Sequence, residues 1–369
     1  MMRKTPLIIL TAAALPFAVQ AAETEFSFGG FIKADAMISQ YDGDDIKSPS
    51  YYVPSQTNLE TPGSDIYRLD TSVKASRFNF KTITSLDNGE KVTTFVELDF
   101  LGGGGNQVTT NASNPRIRHA YFNYNNLTVG QTWSTFMNVG ALPESVDLIG
   151  PSDGAVFIRQ AQVRYDIGDF QVALENSETT LDGTEQNAAR LPDFVARYNI
   201  KAGEHSFSVA ALVRELRSDK TVGIDDSSLG FGLNASGVVQ LGDDNLKFSA
   251  SYGQIGRYVG VSAASDAISV GTDLEATDVL AAYVSYQHFW SKELRSTLTY
   301  SLLDASYDND ALAAGLGLNE KSQSARVNLL YSPISNITYG VELSNAKLEK
   351  VGGADGSFNR VHFTAKYAF

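Results

Sequence analysis

The chain ends in the sequence Val361-His362-Phe363-Thr364-Ala365-Lys366-Tyr367-Ala368-Phe369. Apolar side chains occupy the odd-numbered positions, and His362, Thr364 and Lys366 lie between them. Successive side chains of a β-strand point to opposite faces, so this period of two predicts a strand with one apolar and one polar face. A half-buried strand of a soluble protein has the same pattern, and only the rest of the chain distinguishes the two cases.

The same alternation recurs throughout the chain after residue 24. We assign it to sixteen segments, at residues 26–38, 67–80, 92–100, 116–124, 127–134, 156–167, 170–177, 194–200, 207–217, 229–241, 246–252, 280–289, 294–303, 323–331, 337–343 and 358–369. No later segment reaches the 18 consecutive apolar residues of a membrane-spanning helix, but a membrane-spanning strand needs only about 10 alternating residues. The pattern therefore permits a β-barrel in a membrane.

The connections between these segments alternate between short and long. Seven are short and use the Gly, Asn, Asp or Pro residues of tight turns, whereas eight are long. Outer-membrane barrels have this asymmetry, with short periplasmic turns and long extracellular loops. The sequence thus predicts an all-β fold, a sixteen-stranded antiparallel transmembrane β-barrel that forms one domain over residues 22–369.

The N-terminal residues predict export. Arg3 and Lys4 precede an apolar stretch from Leu7 to Val19, and small residues follow near Ala22. This is the pattern of a secretory signal peptide, which we place at residues 1–21. Its removal leaves 27 basic (29 less 2) and 42 acidic residues, a balance that argues against nucleic acid as a partner. The chain has no cysteine, so no disulfide supports the fold.

Charged side chains on the polar parity of the strands are mostly basic. They are Lys33, Arg77, Arg116, Arg118, Arg164, Arg197, Arg214, Lys247, Arg295, Arg326, Arg360 and Lys366, against the acids Asp35, Glu97, Asp99, Glu175 and Glu342. A charge facing lipid at mid-bilayer costs roughly 2–4 kcal/mol, so these side chains must face a water-filled lumen. A basic wall concentrates anions and predicts a channel that favours them. The alternative is that the charges form ladders that balance one another and brace the wall.

The third long connection, residues 135–155, is richer in apolar residues than an exposed loop requires. We expect it to fold inward and narrow the pore, with Glu144 and Asp147 facing the basic wall across a transverse field. Arg159 has the wrong parity for its strand, and a bulge or a later strand start would let it reach the constriction. The predicted pore-lining or solute-binding residues are Arg77, Arg116, Arg118, Arg159, Arg164, Arg197, Arg326, Glu97 and Asp99, and Glu144 and Asp147 belong to the constriction loop.

Several passages of the chain resemble the DcaP-like trimeric porins. They include Phe28-Gly29-Gly30-Phe31-Ile32-Lys33-Ala34-Asp35, Arg118-His119-Ala120-Tyr121, Val129-Gly130-Gln131-Thr132-Trp133-Ser134-Thr135-Phe136, Leu142-Pro143-Glu144 and His288-Phe289-Trp290. The terminal Phe369 is similar to the recognition signal of outer-membrane barrels. The resemblance implies a bacterial outer-membrane location, a homotrimer with one pore per subunit, an inward constriction loop and a preference for small anions such as dicarboxylates.

Three other functions remain open at this point. An outer-membrane enzyme would need a partnered histidine, and His119, His205, His288 and His362 lie apart without a motif, so we expect no enzymatic activity. A sugar-preferring porin would carry a lumenal aromatic track, and Phe95, Phe122 and Tyr124 do not form a continuous one. A general porin without anion selectivity, selective for cations because of its acidic loops, is the third alternative. No metal motif, nucleotide loop or redox pair is present, so no cofactor is expected.

Overall fold

A computed structural model describes residues 23–43, 50–61, 63–105, 108–218 and 223–369. The predicted signal peptide lies outside these residues. Sixteen barrel strands follow one another in the chain, and the second is interrupted: β1 Thr24–Tyr41, β2 Ile66–Ser72 and Arg77–Ser85, β3 Lys91–Asp99, β4 Arg116–Tyr124, β5 Leu127–Trp133, β6 Arg159–Ile167, β7 Phe170–Glu175, β8 Asp193–Ala202, β9 His205–Arg217, β10 Ser227–Leu241, β11 Asp244–Gly253, β12 Asp278–Phe289, β13 Leu294–Ser306, β14 Asn319–Ile334, β15 Ile337–Lys350 and β16 Asp355–Ala368.

Each barrel strand pairs antiparallel with its neighbours in the chain, and β1 closes the sheet. β1 pairs with β2 on one side, as in Thr24↔Thr84, and with β16 on the other, as in Phe31↔Ala368. Closure gives every strand two partners, which a bilayer requires because lipid cannot hydrogen-bond an exposed strand edge. The predicted sixteen-stranded antiparallel barrel is confirmed.

The terminal strand shows how the two faces divide. On β16, Phe363 and Tyr367 are 46% and 51% exposed, whereas Arg360 and His362 are 4% and 1% exposed. The apolar parity therefore forms the outer face of the barrel and the polar parity its inner face.

The irregular pattern of β4 has a local cause. Glu97 of β3 pairs with His119, but the next residue, Leu98, pairs with Ile117, so Arg118 is the extra residue of a β-bulge. Ile117 is exposed on the outer face, while both Arg118 and His119 are buried. The bulge thus places two successive polar side chains inside the barrel.

The long loops add the other elements. They contain the 3-10 turns Pro54–Gln56, Val139–Ala141 and Gly256–Tyr258, the short strands Thr180–Leu181, Thr184–Glu185, Ala267–Val270 and Asp273–Ala276, and the α-helix Asp310–Leu316. None of the helices in the described part of the chain is long and apolar enough to cross a bilayer.

The apolar core lies inside the mouth of the barrel. Loop 3 (residues 134–158) contributes Phe136 and Met137, and loop 6 (residues 254–277) contributes Tyr258 and Val259. These side chains cluster with inward residues of the wall such as Leu212 of β9. Loops 3 and 6 are therefore packed against inward-facing residues of the wall.

Candidate functional site

Loop 3 is held against the inner wall by side chains from successive strands. The guanidinium of Arg197 on β8 donates to the carbonyl of Met137 at 2.7 Å, and Lys247 on β11 donates to that of Leu142 at 2.8 Å. Tyr283 on β12 adds a hydrogen bond of 3.1 Å to the Ala141 carbonyl. These contacts follow the loop around the barrel, so residues 137–142 of the third long connection lie against inward-facing side chains of the wall.

The carboxylate of Glu342 on β15 receives the middle of loop 3. It accepts hydrogen bonds from the Ser145 hydroxyl at 2.8 Å, the Val146 amide at 3.0 Å and the Asp147 amide at 3.4 Å. Glu342 is 1% exposed, and Arg326 of β14 lies 3.7 Å away. The Glu342 carboxylate thus joins a cation and several loop 3 donors at one buried point, which makes it a strong anchor for the loop.

The two acidic residues predicted for the constriction both lie beside basic side chains of the inner wall. Glu144 forms a bidentate ion pair with Arg295 of β13, at 2.5 and 2.6 Å. Burial alone would raise the pKa of the Glu144 carboxyl, but the hydrogen bond and charge of Arg295 hold that pKa below its ordinary value of 4.5. Asp147 is 6% exposed and accepts the amides of Tyr52 and Ile149. Asp147 also lies 4.0 Å from Arg360 of β16, so both acids face basic side chains of the wall, and the transverse field stays a prediction.

Gly154 is required where loop 3 passes β12. A Cβ at this position would lie 1.9 Å from the carbonyl oxygen of Ala282. We expect Gly154→Ala to push the loop from the wall and to destabilise the protein by about 1–3 kcal/mol. Gly140→Ala in the same loop is the matched control, because its Cβ would only reach the side chain of Asn138 at 3.4 Å. Thermal unfolding of both variants checks this; equal midpoints would contradict it.

Four of the predicted arginines gather where loop 3 leaves and rejoins the wall. Arg118 contacts Glu97 at 2.7 Å and Asp99 at 3.0 Å, and Arg116 binds Asp99 at 2.8 Å. Arg77 is 3.8 Å from Glu97. With Arg159, described next, these arginines and the two acids Glu97 and Asp99 form what we call the arginine cluster.

Arg159 differs from the other arginines of the cluster. Its guanidinium lies over the indole ring of Trp133, 4.7 Å from the centroid. Within the described residues no carboxylate comes within ion-pair distance of it, and its Nη1 has no hydrogen-bond partner. Arg159 is the first residue of β6. This strand starts later than predicted, and the later start explains the unusual parity of Arg159.

The arginine cluster holds four guanidinium groups and two carboxylates, an excess of two positive charges.

A series of rings lines the arginine cluster. Phe95 contacts Tyr121 at a centroid distance of 5.7 Å and His119 at 6.1 Å, His119 contacts Trp133 at 5.6 Å, and Trp133 contacts Phe157 at 4.8 Å. The sequence did not predict this series, because the bulge of β4 hides the position of His119. Of the aromatic residues considered from sequence, Phe95 belongs to it, whereas Phe122 is exposed on the outer face.

The remaining predicted arginines lie elsewhere. Arg164 is on the inner face beside Asp166, at 3.4 Å. Arg197 supports loop 3, and Arg326 is buried over the ring of Tyr52 as well as beside Glu342. The predicted set therefore contains a cluster of Arg77, Arg116, Arg118 and Arg159, while Arg197 and Arg326 hold loops in place.

The sequence as a whole matches a known family. The family model described as DcaP outer membrane protein matches residues 12–369. The chain belongs to the DcaP outer membrane protein family. A search of curated protein sequences gives no match.

Solved structures agree with this DcaP assignment. The outer membrane channel DcaP of Acinetobacter baumannii has a TM-score of 0.80 and 26% identity, over 94% of this chain and 97% of that one. An anion-selective porin from Comamonas acidovorans has a TM-score of 0.58 and 14% identity, over 94% and 100% of the two chains. The trimer form of OmpT from Vibrio cholerae gives 0.54 and 11%, over 94% and 99%. This DcaP-family chain is thus a porin-like channel barrel of the bacterial outer membrane, and the two distant likenesses support the fold alone.

Proposed function

We propose that this chain forms a water-filled channel for the passive diffusion of small hydrophilic solutes and that it favours anions, dicarboxylates among them. The observation that carries the proposal is the excess of two positive charges in the arginine cluster, with Arg159 unpaired by any carboxylate that the structure describes. Fixed cations beside a narrow aqueous path raise the local concentration of anions.

In this proposal the residues of the arginine cluster line the pore. Arg164 lines the same inner wall beside them. Loop 3 forms the constriction, and its anchors keep the path narrow. Glu144 contributes partly, because its carboxylate is one-third exposed, while Arg197, Arg326 and Asp147 act by fixing the loop.

The ring series beside the arginine cluster also favours one kind of anion. A solute with a carboxylate at each end and an apolar middle could contact guanidinium groups and ring faces at once. Uptake into proteoliposomes of dicarboxylates, monocarboxylates and neutral sugars of similar size tests this. We expect dicarboxylates to enter fastest; equal rates for neutral sugars would instead support a general or sugar-preferring porin.

We also propose a homotrimer embedded in outer-membrane lipid after removal of residues 1–21. The outer face of β1–β3 carries hydroxyl pairs, Thr82 with Thr94 at 2.6 Å and Thr24 with Thr84 at 3.0 Å, among the exposed rings of Phe26, Phe28 and Phe80. Polar groups on a lipid-facing strand are better placed when protein covers them. The mass of the detergent-solubilised complex tests this: a trimer is expected, and a monomer would contradict it.

A further inference from the structure

Three polar side chains meet on the outer face of the barrel, away from the pore. Asp244 begins β11, His288 lies near the end of β12, and Ser296 lies near the start of β13. All three are within a few residues of the short turns, and Trp290 lies in the turn between β12 and β13. Tryptophan beside such turns marks the level of the lipid headgroups and ester bonds in membrane barrels.

Asp244 orients the imidazole of His288. The Nδ1 atom of His288 lies 2.8 Å from Oδ2 of Asp244. Asp244 is itself fixed, since it accepts the Tyr286 hydroxyl at 2.5 Å and the backbone amide of Phe289 at 2.9 Å. A carboxylate on Nδ1 sets the tautomer that leaves Nε2 free to accept a proton. Nε2 is then directed away from β11.

Ser296 lies on the other side of His288. The two residues are direct partners in the register of β12 and β13, which places their Cβ atoms about 5 Å apart on one face. The Ser296 oxygen accepts a hydrogen bond from the indole Nε1 of Trp290 at 2.9 Å, so its own proton is free to be donated. The indole packs edge-on against His288, with centroids 4.4 Å apart. Asp, His and Ser thus occupy three adjacent strands in the order of a catalytic triad; the hydrogen bond between Asp244 and His288 is formed, while Ser296 lies outside hydrogen-bond distance of His288 in this structure.

An apolar groove begins at Ser296. It has a volume of about 340 Å³ and is lined by Trp290, Leu294, Val327, Leu329 and Leu343 together with Ser296 itself. The groove is on the outer face of the barrel, so its surroundings are acyl chains. A chain lying in it would bring the ester bond of a lipid to the hydroxyl of Ser296.

The geometry points to an acyl-ester hydrolase site on the outer face of the barrel, acting on fatty-acid esters of membrane lipids. Ser296 is the nucleophile, His288 the general base and acid, and Asp244 the residue that orients His288. The indole N–H of Trp290 donates to Oγ of Ser296 in the free protein, and it would turn to the developing oxyanion once Oγ bonds to the ester carbonyl carbon. This activity is separate from the channel, because none of these side chains is on the inner face.

The reaction conserves atoms and charge in two steps. Ser296 Oγ bonds to the ester carbonyl carbon as its proton passes to Nε2 of His288; the carbon–alkoxide bond then breaks, and His288 protonates the leaving alcohol of the lysolipid. Water next attacks the acyl-serine while His288 takes its proton. The bond between the acyl carbon and Oγ breaks, the proton returns to Oγ, and a free fatty acid leaves.

His205 provides a matched comparison within the same barrel. It also lies beside a short turn, but its Nδ1 accepts the backbone amide of Gln240. Among the residues that the structure describes, no carboxylate lies within ion-pair distance of His205. A surface histidine at a turn therefore does not by itself create the arrangement around His288.

The full-length protein in vesicles of phosphatidylethanolamine tests the proposal. We expect release of fatty acid from labelled lipid, a decrease of roughly 100-fold or more in Ser296→Ala and His288→Asn, and unchanged release in His205→Asn. A fluorophosphonate probe should label Ser296, as found by peptide mass mapping. Ion conductance in the same vesicles shows that each variant is folded and tests the channel separately. Release that is equal in Ser296→Ala and the unaltered protein, or absent from a conducting unaltered protein, would overturn the proposal.

Discussion

Replacing Arg77 and Arg159 together by serine is expected to remove most of the anion preference of the channel. These are the two arginines of the cluster without a close carboxylate partner, since Arg77 is 3.8 Å from Glu97 and Arg159 contacts the ring of Trp133. The cluster would then hold two guanidinium groups and two carboxylates. Because the local anion concentration follows the fixed charge, we expect the chloride-to-potassium permeability ratio to fall roughly tenfold.

Lys81→Ser is the control for this double substitution. Lys81 lies on the same face of β2 as Arg77, four residues nearer the turn, and is exposed. Its loss removes the same type of charge at a distance from the cluster, so the permeability ratio should change little. A double variant that keeps the selectivity of the unaltered protein, or a Lys81 variant that loses as much, would place the selective charges elsewhere.

The second large effect is expected at Glu342. Glu342→Ala removes the acceptor of three donors in loop 3 and leaves Arg326, which is 3% exposed, without its carboxylate. Breaking a buried charge pair in this way costs about 3–5 kcal/mol. We therefore expect a lower midpoint of thermal unfolding. We also expect loop 3 to leave the wall, which would appear as frequent transient closures in single-channel records.

One variant separates the charge of Glu342 from its shape, and a second variant is the control. Glu342→Gln keeps an acceptor oxygen for the loop amides and should show a smaller loss of stability than the alanine variant. Glu349→Gln changes a carboxylate on the same strand that makes no hydrogen bond within the described residues, and should behave like the unaltered protein. Quiet channels and an unchanged midpoint in Glu342→Ala would mean that loop 3 does not depend on this anchor.

The barrel could be predicted from sequence because each strand carries its own signal. In β16 the apolar side chains of Val361, Phe363 and Tyr367 face outward and Arg360 faces inward, as the local pattern requires. The membrane enforces that pattern strand by strand, since a misplaced charge would face hydrocarbon. The burial of the apolar residues of loop 3, such as Phe136 and Met137, was also predictable, because an exposed loop would leave them in water.

Contacts between distant parts of the chain could not be predicted from local sequence patterns. Glu342 is separated from Val146 by 196 residues, and no local pattern distinguishes it from the other acids of the strands. The bulge that turns both Arg118 and His119 inward depends on the register of β3 and β4. Asp244 and His288 are 44 residues apart and meet only because the barrel sets β11 beside β12. Each of these contacts depends on which strands pair and in which register. The alternation of apolar and polar residues does not specify either.

We propose that the arginine cluster makes the channel prefer anions although the chain as a whole is acidic. The reversal potential of the unaltered protein in a planar bilayer under a potassium chloride gradient tests it most directly. We expect a potential with the sign set by chloride, and we expect the Arg77 and Arg159 double substitution to move this potential toward zero. A potential with the sign set by potassium in the unaltered protein would contradict it.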